Sequence, residues 1–266
     1  MPETTLNVNL LDKTENALAL IYSACRQCYS SKGAFDIFER SRKLEDPEKI
    51  SEFIRKVIAS GHESPLEHIK FTFAVEGVSR ALTHQLVRHR LASYSQQSQR
   101  YVKEDAFDYI MPPIIKRDER LKQRFLDVMK SVQDGYNDIL ATLKERGIEG
   151  EIANQDARFL LPNAAETKIV ITMNCRELKH FFGLRCCTRA QWEIRALADK
   201  MLEICKRHLP EVFSALGPKC EELKYCPEGK QYSCGKYPVK EEFLNPQTRS
   251  QSQPLVQKAP EDHSPL

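Results

Sequence analysis

A dense set of anion-binding side chains occupies the segment from His84 to Val102. The segment reads HQLVRHRLASYSQQSQRYV and holds Arg88, Arg90 and Arg100 among serines and glutamines. A guanidinium binds two phosphate oxygens through a planar fork of N–H donors, and serine hydroxyls add further donors. A glutamine amide donates and accepts at once, which suits the edge of a nucleotide base. These residue types predict a binding site for a small phosphorylated molecule.

Three other interpretations compete with this one. Arginines near the C-terminus of a helix interact favourably with its dipole, so a solvated helix end is the plain alternative. A module that binds single-stranded nucleic acid would stack bases on Tyr94 and Tyr101. The lack of acidic residues within the segment argues against the first, and the balance of 40 basic and 37 acidic residues in the chain argues against the second. A metal hydrolase built on histidines is disfavoured, because no H-E-x-x-H motif occurs.

Three separated stretches resemble, in the same order, the flavin-dependent thymidylate synthases. Arg88-His89-Arg90, followed by seven residues and Ser98, resembles the signature motif of that family. GHESPLEHIKFTF, residues 61–73, resembles its flavin-contacting segment, and residues 157–195 resemble its C-terminal region. The resemblance covers roughly residues 5–235.

This resemblance implies an activity and an assembly. The family converts deoxyuridine monophosphate (dUMP) to thymidine monophosphate (dTMP). It takes a methylene group from methylenetetrahydrofolate and the reducing electrons from NADPH through bound FAD. Family members are homotetramers in which several subunits build each active site, so a homotetramer is expected here.

The resemblance also implies a set of dUMP-binding residues. They are Gln85, Arg88, Gln96, Ser98, Gln99, Arg100, Arg158 and Arg185. Arg185 is the implied catalytic residue, because the matching arginine lies against the uracil edge and favours loss of the N3 proton. Ser98 is assigned to binding, since no acid–base pair in the sequence clearly activates it as a nucleophile. Many family members carry Asn-Glu where this chain has Ser95-Gln96, which puts in doubt any role that needs a carboxylate there.

A second implied set binds FAD. Its members are His62, Ser64, Glu67, Arg88, His89, Arg90, Leu91, Asn174, Arg176 and His180. Two of them have predicted structural roles as well: Asn174 caps the helix that follows it, and Glu67 completes a capping box with Ser64. The ring of His89 is expected to stack on the isoalloxazine or the folate.

Nine cysteines are many for a chain without a recognisable signal peptide. Four of them, Cys187, Cys220, Cys226 and Cys234, could close a tetrahedral zinc site. Their spacing lacks the usual C-x2-C element, so free thiols are favoured over zinc, and zinc over disulfides.

Apolar periodicity predicts the elements that position these groups. Strands are expected around 6–10, 71–75 and 168–173, and helices at 14–30, 46–61, 79–90, 121–145, after 174 and at 189–208. Helices and strands do not alternate regularly, so we expect an α+β fold with a central mixed sheet and long flanking helices, like that of the family. No G-x-G-x-x-G motif after a strand and no P-loop motif occur.

Composition predicts the extent of the folded domain and its cellular location. Residues 1–235 are predicted to form one catalytic domain that includes a cysteine-containing loop at 217–235. Residues 236–266 contain five prolines and few large apolar side chains, which predicts a disordered tail. No apolar run approaches the ~20 residues that cross a bilayer. We expect a cytoplasmic location, with no nucleic-acid or membrane partner.

Overall fold

The computed structural model describes residues 2–43 and 47–245. Its strands, β1 (Asn7–Lys13), β2 (Lys70–Ser79), β3 (Ala92–Gln96) and β4 (Glu166–Asn174), form one sheet. Their order across the sheet is β1-β2-β4-β3, and each neighbouring pair is antiparallel. The predicted α+β class is confirmed, but the prediction of a mixed sheet was wrong. β3 runs in the same direction as β2, yet β4 lies between them, so neither strand has a parallel neighbour in this sheet.

Helices pack mainly on one face of this sheet. In the described residues they are α1 (Ala17–Gln27), α2 (Ala34–Arg42), α3 (Pro47–Ala59), α4 (Arg80–Leu86), α5 (Pro113–Arg117), α6 (Glu119–Glu145), α7 (Gly150–Ala157), α8 (Cys175–Arg185), α9 (Trp192–His208), α10 (Pro210–Phe213), α11 (Lys219–Leu223) and α12 (Lys240–Leu244). The chain also forms short 3₁₀ turns at Ser64–His68 and Arg158–Leu160. Each predicted helix is present, with ends that differ by a few residues.

The main core lies between the sheet and the helices. Alternate residues of β2, including Phe71 and Phe73, are buried, and Ile169 and Ile171 of β4 lie beside them. Helices α8 and α9 cover this face with residues such as Phe181. Burying an aromatic or aliphatic side chain of this kind contributes about 1.5–3 kcal/mol. The alternation therefore fixes which face of β4 points to the core, and α8 follows directly from the C-terminal end of that strand.

Helix ends follow local chemistry in most places. The Asn174 side chain accepts a hydrogen bond from the backbone N–H of Glu177 at 2.8 Å, as predicted for the cap of α8. Gly61 and Gly147 take positive φ angles of 84° and 75° after α3 and α6. The predicted capping box at Ser64 was wrong: the turn there is 3₁₀, without a side-chain cap, and Glu67 pairs with Arg176 instead. Asp46, the predicted cap of α3, lies outside the described residues.

A buried carboxylate joins β2, α4 and α9. Glu193 of α9 accepts hydrogen bonds from both the backbone N–H and the hydroxyl of Ser79, each at 2.6 Å. Ser79 in turn caps α4 by accepting from the N–H of Leu82 at 3.0 Å. Burial raises the pKa of Glu193, and its hydrogen bonds oppose that shift. This junction fixes where α4 begins.

The C-terminal part of the described chain packs on the domain beyond the predicted boundary at Lys236. The N–H of Cys226 donates to the carbonyl of Pro238 at 2.6 Å, and Val239 is buried. The rings of Tyr225 and Phe243 lie 5.5 Å apart. The remainder of the predicted tail, 246–266, lies outside the described residues. Within the described chain, no helix combines the length and apolarity that a bilayer crossing requires.

Gly77 provides a test of the β2 bulge between Val75 and Val78. Its φ is +66°, and an added Cβ would lie 2.0 Å from the carbonyl oxygen of Thr5. We expect Gly77→Ala to lower the free energy of unfolding by about 2–5 kcal/mol, from left-handed strain plus a backbone clash. Gly147→Ala is the matched control, because it has positive φ but open space, and should cost only about 1–2 kcal/mol. Urea unfolding at one protein concentration compares them, and equal losses would contradict the proposed clash.

Candidate functional site

The turn after α4 divides the Arg88-His89-Arg90 motif between surface and core. Helix α4 ends at Leu86, earlier than predicted, and the backbone turns so that His89 is only 5% exposed while both arginines are exposed. The Tyr94 hydroxyl lies 2.8 Å from the carbonyl oxygens of Leu86 and His89. Tyr94 therefore holds the turn from the side of β3.

His89 connects two charged side chains of α8. Its Nδ1 lies 3.1 Å from a carboxylate oxygen of Glu177, and its Nε2 lies 3.1 Å from Nε of Arg185. Burial, together with the charges of Arg185 and His180, lowers the pKa of His89 to about 4. The imidazole is therefore neutral near pH 7, and both of its ring nitrogens are engaged by protein side chains, while its stacking role stays a prediction. The edge-on ring of Phe181, 4.9 Å away, further encloses it.

A cavity of about 630 Å³ lies beside this network. Five residues of the predicted FAD set line it: Glu67, Leu91, Asn174, Arg176 and His180. They come from three separate parts of the chain, and α11 closes another side with Lys219 and Glu222. Lys179 bridges the two walls by pairing with Glu63 and Glu222. Of the other predicted FAD residues, His62 and Ser64 belong to the segment that carries Glu67, and Arg88 and Arg90 flank His89.

A second group of predicted residues gathers at the other end of β3. Arg100 pairs with Glu151 of α7, and its carbonyl accepts from Asn154 at 3.0 Å. The Ser98 hydroxyl accepts from the N–H of Arg100 at 3.2 Å. Arg158 lies close enough to Arg80 to affect its pKa. Gln99 belongs to the same loop, and Gln85 is half-buried on α4.

This second group contains hydrogen-bond donors without acceptors. Nε of Arg80, Nε of Arg100 and Nε2 of Gln99 are buried and have no partner within the protein. Burial lowers the pKa of Arg80, Glu104 opposes that shift, and Arg158 adds to it. Buried donors left unpaired are costly, and two guanidiniums side by side repel each other. An anion with several oxygens would satisfy both conditions, provided that it displaced Glu151 from Arg100 and opened access to these buried atoms.

Gln96 has a structural role that a glutamate would fill less well. Its amide nitrogen lies 3.2 Å from the hydroxyls of Thr83 and Thr167, so it joins α4 to β4. The Thr83 hydroxyl donates its proton to the carbonyl of Arg80 at 2.9 Å, which leaves an oxygen that only accepts. An amide donor suits that oxygen, and a carboxylate does not.

One protomer does not bring the two groups together. They lie at opposite ends of β3, and the six residue steps from Leu91 to Gln97 span roughly 20 Å of extended strand. Arg185 belongs to the cavity end, with His89. Arg100 and Arg158 belong to the other end, so the predicted dUMP residues are divided.

The cysteines show no metal-binding arrangement in the described residues. No group of three or more histidine, cysteine, aspartate or glutamate side chains there is placed to hold a metal ion. All nine cysteines are free thiols, and burial raises the pKa of Cys25, Cys175, Cys186 and Cys205. The function of the four C-terminal cysteines stays a prediction.

Sequence reasoning missed two residues that the geometry singles out. Arg80 precedes the signature motif, in a segment for which the sequence predicts only a helix. Glu177 lies one position after Arg176 and carries no motif of its own. Glu177 lies eight residues before Arg185 on one helix, a net rotation of about 80°, so a shared helix face did not signal its role.

Comparison with known proteins identifies relatives. Residues 9–211 match the family model described as thymidylate synthase complementing protein. A flavin-dependent thymidylate synthase of Nitratidesulfovibrio vulgaris is 55% identical over 242 residues, which cover 91% of this chain and 99% of that protein. One from Clostridium tetani is 49% identical over 239 residues, covering 87% and 94% respectively.

A solved structure supports the same relationship. The crystal structure of a UMP/dUMP methylase, PolB from Streptomyces cacaoi, bound with 5-Br dUMP, aligns with a TM-score of 0.61 at 26% identity. The alignment covers 81% of this chain and 97% of that one.

The unpaired donors around Arg100 generate a prediction. Inorganic phosphate should raise the melting temperature, because it binds the folded state and supplies the missing acceptors. Arg100→Met should weaken the apparent phosphate affinity about tenfold or more, the usual range for a charge-assisted hydrogen bond. Arg120→Met, at an exposed position of α6, is the control. Melting curves across a phosphate series decide: equal responses in both variants would place phosphate elsewhere.

Proposed function

This chain belongs to the family of flavin-dependent thymidylate synthases, and we propose that it forms dTMP from dUMP with FAD bound in the cavity of about 630 Å³. Methylenetetrahydrofolate supplies the carbon, and NADPH supplies the electrons. The observation that carries this proposal is the convergence on one cavity of Glu67, Leu91 and Asn174, which lie far apart in sequence.

The cavity fits a flavin nucleotide in size and chemistry. Its volume lies within the range of cofactor pockets, about 300–1,000 Å³. Arg176 and Lys179 offer cations for a pyrophosphate, while Leu91 and Gly183 offer apolar or open wall. Arg176 and Lys179 are paired with Glu67 and Glu63 here, so binding would exchange those partners. When bound, the flavin carries reducing equivalents from NADPH to the transferred carbon.

The donor group around Arg100 suits the phosphate of dUMP. A phosphate monoester carries a charge near −2 and several acceptor oxygens, which match the unpaired donors of Arg80, Arg100 and Gln99. Arg158 adds a further cation next to Arg80. We therefore assign the phosphate to this end of β3 and include Arg80 among its ligands.

Arg185 would act at the other end of the nucleotide, on the pyrimidine ring. An arginine stays protonated and offers only donors, so it stabilises negative charge that develops when N3 loses its proton. Its Nε is held by neutral His89, which leaves the terminal NH₂ groups for the ring. Because His89 is neutral, it does not repel the positive charge of the Arg185 guanidinium, as an imidazolium would.

These assignments favour more than one subunit for each site. Roughly 20 Å of strand separates the backbone segments that carry the two groups in one protomer, and a second subunit would bring both groups to one nucleotide. Large apolar side chains next to the proposed ligands are strongly exposed: Leu91 is 73%, Tyr101 71% and Phe159 85% exposed. Exposed apolar surface of this kind marks an interface. We propose that a symmetric homotetramer joins the cavity end of one protomer to the Arg100 end of another.

Oxidation of NADPH that depends on dUMP and methylenetetrahydrofolate tests the activity. Arg185→Ala should keep its flavin, seen in the visible spectrum, because the other cavity residues are intact. Its kcat for dTMP should fall about 10²–10³-fold, the usual loss for one preorganised donor. Arg207→Ala, at an exposed position of α9, is the control. Normal turnover by the Arg185 variant would remove that residue from the mechanism.

Mixing two inactive variants tests the shared site. Arg185→Ala and Arg100→Ala protomers, dissociated and reassembled together, should regain about a quarter of wild-type activity, because random pairing restores that share of sites. Each variant reassembled alone is the control and should stay inactive. If the mixture also stays inactive although hybrids form, both arginines serve one protomer's site and the subunit assignment is wrong.

A further inference from the structure

We propose that Glu177 is a positioning residue of this reaction, which orients Arg185 by fixing the tautomer of His89. The proposal rests on the function proposed for Arg185. Glu177 does not touch the arginine itself; it acts through the imidazole between them. The three side chains form one line of hydrogen bonds from the buried wall of the cavity to the guanidinium.

The direction of these hydrogen bonds follows from the arginine. Nε of a guanidinium only donates, so Nε2 of His89, at 3.1 Å, must accept. A neutral imidazole with an unprotonated Nε2 carries its proton on Nδ1. That proton points at Oε1 of Glu177, 3.1 Å away, which accepts it. The hydrogen bond to Glu177 therefore selects the one neutral tautomer that can hold Arg185.

The surroundings leave the ring little other freedom. His89 and Glu177 are 5% and 6% exposed, so water does not substitute for either partner. The ring of Phe181 packs edge-on against that of His89 with the ring centroids 4.9 Å apart, and the centroid of the His180 ring lies 5.9 Å from that of His89. The backbone of His89 is fixed by the Tyr94 hydroxyl at 2.8 Å. Ring plane and backbone are thus set by packing, and the choice left to Glu177 is which nitrogen carries the proton.

Glu177 is itself held for this purpose. Its backbone N–H donates to the side chain of Asn174, the N-cap of α8, and this hydrogen bond fixes the first turn of the helix. Arg185 lies eight residues later at the end of the same helix, so both ends of the hydrogen-bonded line share one rigid element. Burial raises the pKa of Glu177, as expected for a carboxyl group placed among apolar neighbours. A buried carboxyl group at this position needs a donor, and His89 is that donor.

Loss of the acceptor should misplace the arginine. Without an oxygen at position 177, a proton on Nδ1 of His89 has no hydrogen-bond acceptor. The tautomer with the proton on Nε2 is then no longer disfavoured. An Nε2–H would then face the Nε–H of Arg185, donor against donor, and the guanidinium would turn away. A shift of about 1 Å in a catalytic group costs up to about a hundredfold in rate.

Two substitutions separate this role from a general effect on folding. Glu177→Leu removes the acceptor but keeps similar volume, and Glu177→Gln keeps an oxygen that can accept from Nδ1–H. We expect Glu177→Leu to lower kcat about tenfold to a hundredfold, with flavin content and the KM for dUMP changed less than about threefold. Glu177→Gln should recover most of that loss. Equal losses in both variants, or a change confined to KM, would overturn the proposal.

The tautomer can be observed without turnover. In protein labelled with [¹⁵N]histidine, the His89 resonances are those lost in His89→Asn, and their ¹⁵N shifts report which nitrogen is protonated. Wild type and Glu177→Gln should show Nδ1–H, and Glu177→Leu should show a shift toward Nε2–H. If wild-type His89 carries its proton on Nε2 or on both nitrogens, the proposal is wrong, even should Glu177→Leu fail to fold. The spectrum is independent of dTMP formation, so failure of the proposed activity remains distinguishable.

Discussion

The antiparallel pairing of β4 with β2 on one side and β3 on the other controls the rest of the structure. Thr167, Ile169, Ile171 and Met173 alternate into the core, which fixes the register of β4 against both neighbours. A slip of one residue would turn all four side chains toward solvent. With the register fixed, the C-terminal end of β4 must meet Leu91 and α8, and its N-terminal end must meet the Arg100 loop. The division of functional residues between two ends is therefore a consequence of sheet geometry.

The cationic side chains at the two ends of β3 differ in how completely their donors are paired. At the cavity end, Arg185 is bound by a neutral histidine, and both exposed Arg176 and partly buried Lys179 have carboxylate partners. At the other end, Arg100 also pairs with a carboxylate, that of Glu151, but Nε of Arg80 and Nε of Arg100 have no acceptor. Carboxylates can exchange with a ligand at a modest cost, whereas unpaired buried donors favour binding strongly. The asymmetry suits one end to a large cofactor and the other to a compact dianion.

Local patterns in the sequence predicted most of the long elements but missed α2 and β3, and they predicted strand pairing less well. Apolar periodicity located β2, β4 and α6, because each buries one face and its side chains repeat with the period of its element. The sheet direction was missed, since β4 inserts between β2 and β3 and nothing in either strand encodes a neighbour distant in sequence. The motif residues were identified by resemblance, but their separation into two groups depends on which strand ends meet. The sequence likewise did not predict that His89 is buried between two exposed arginines, because this burial follows from the Tyr94 contact across the turn.

Gln96 illustrates how a departure from the family pattern can be absorbed by its surroundings. Its amide donates to the hydroxyls of Thr83 and Thr167, and the Thr83 hydroxyl donates to the carbonyl of Arg80. A neutral residue at this position adds no negative charge near the guanidiniums that we assign to phosphate. It also ties the first turn of α4, which carries Arg80, to β4 by hydrogen bonds instead of charge. The anion site thus keeps its positive potential while its scaffold is held by donors that a carboxylate could not provide.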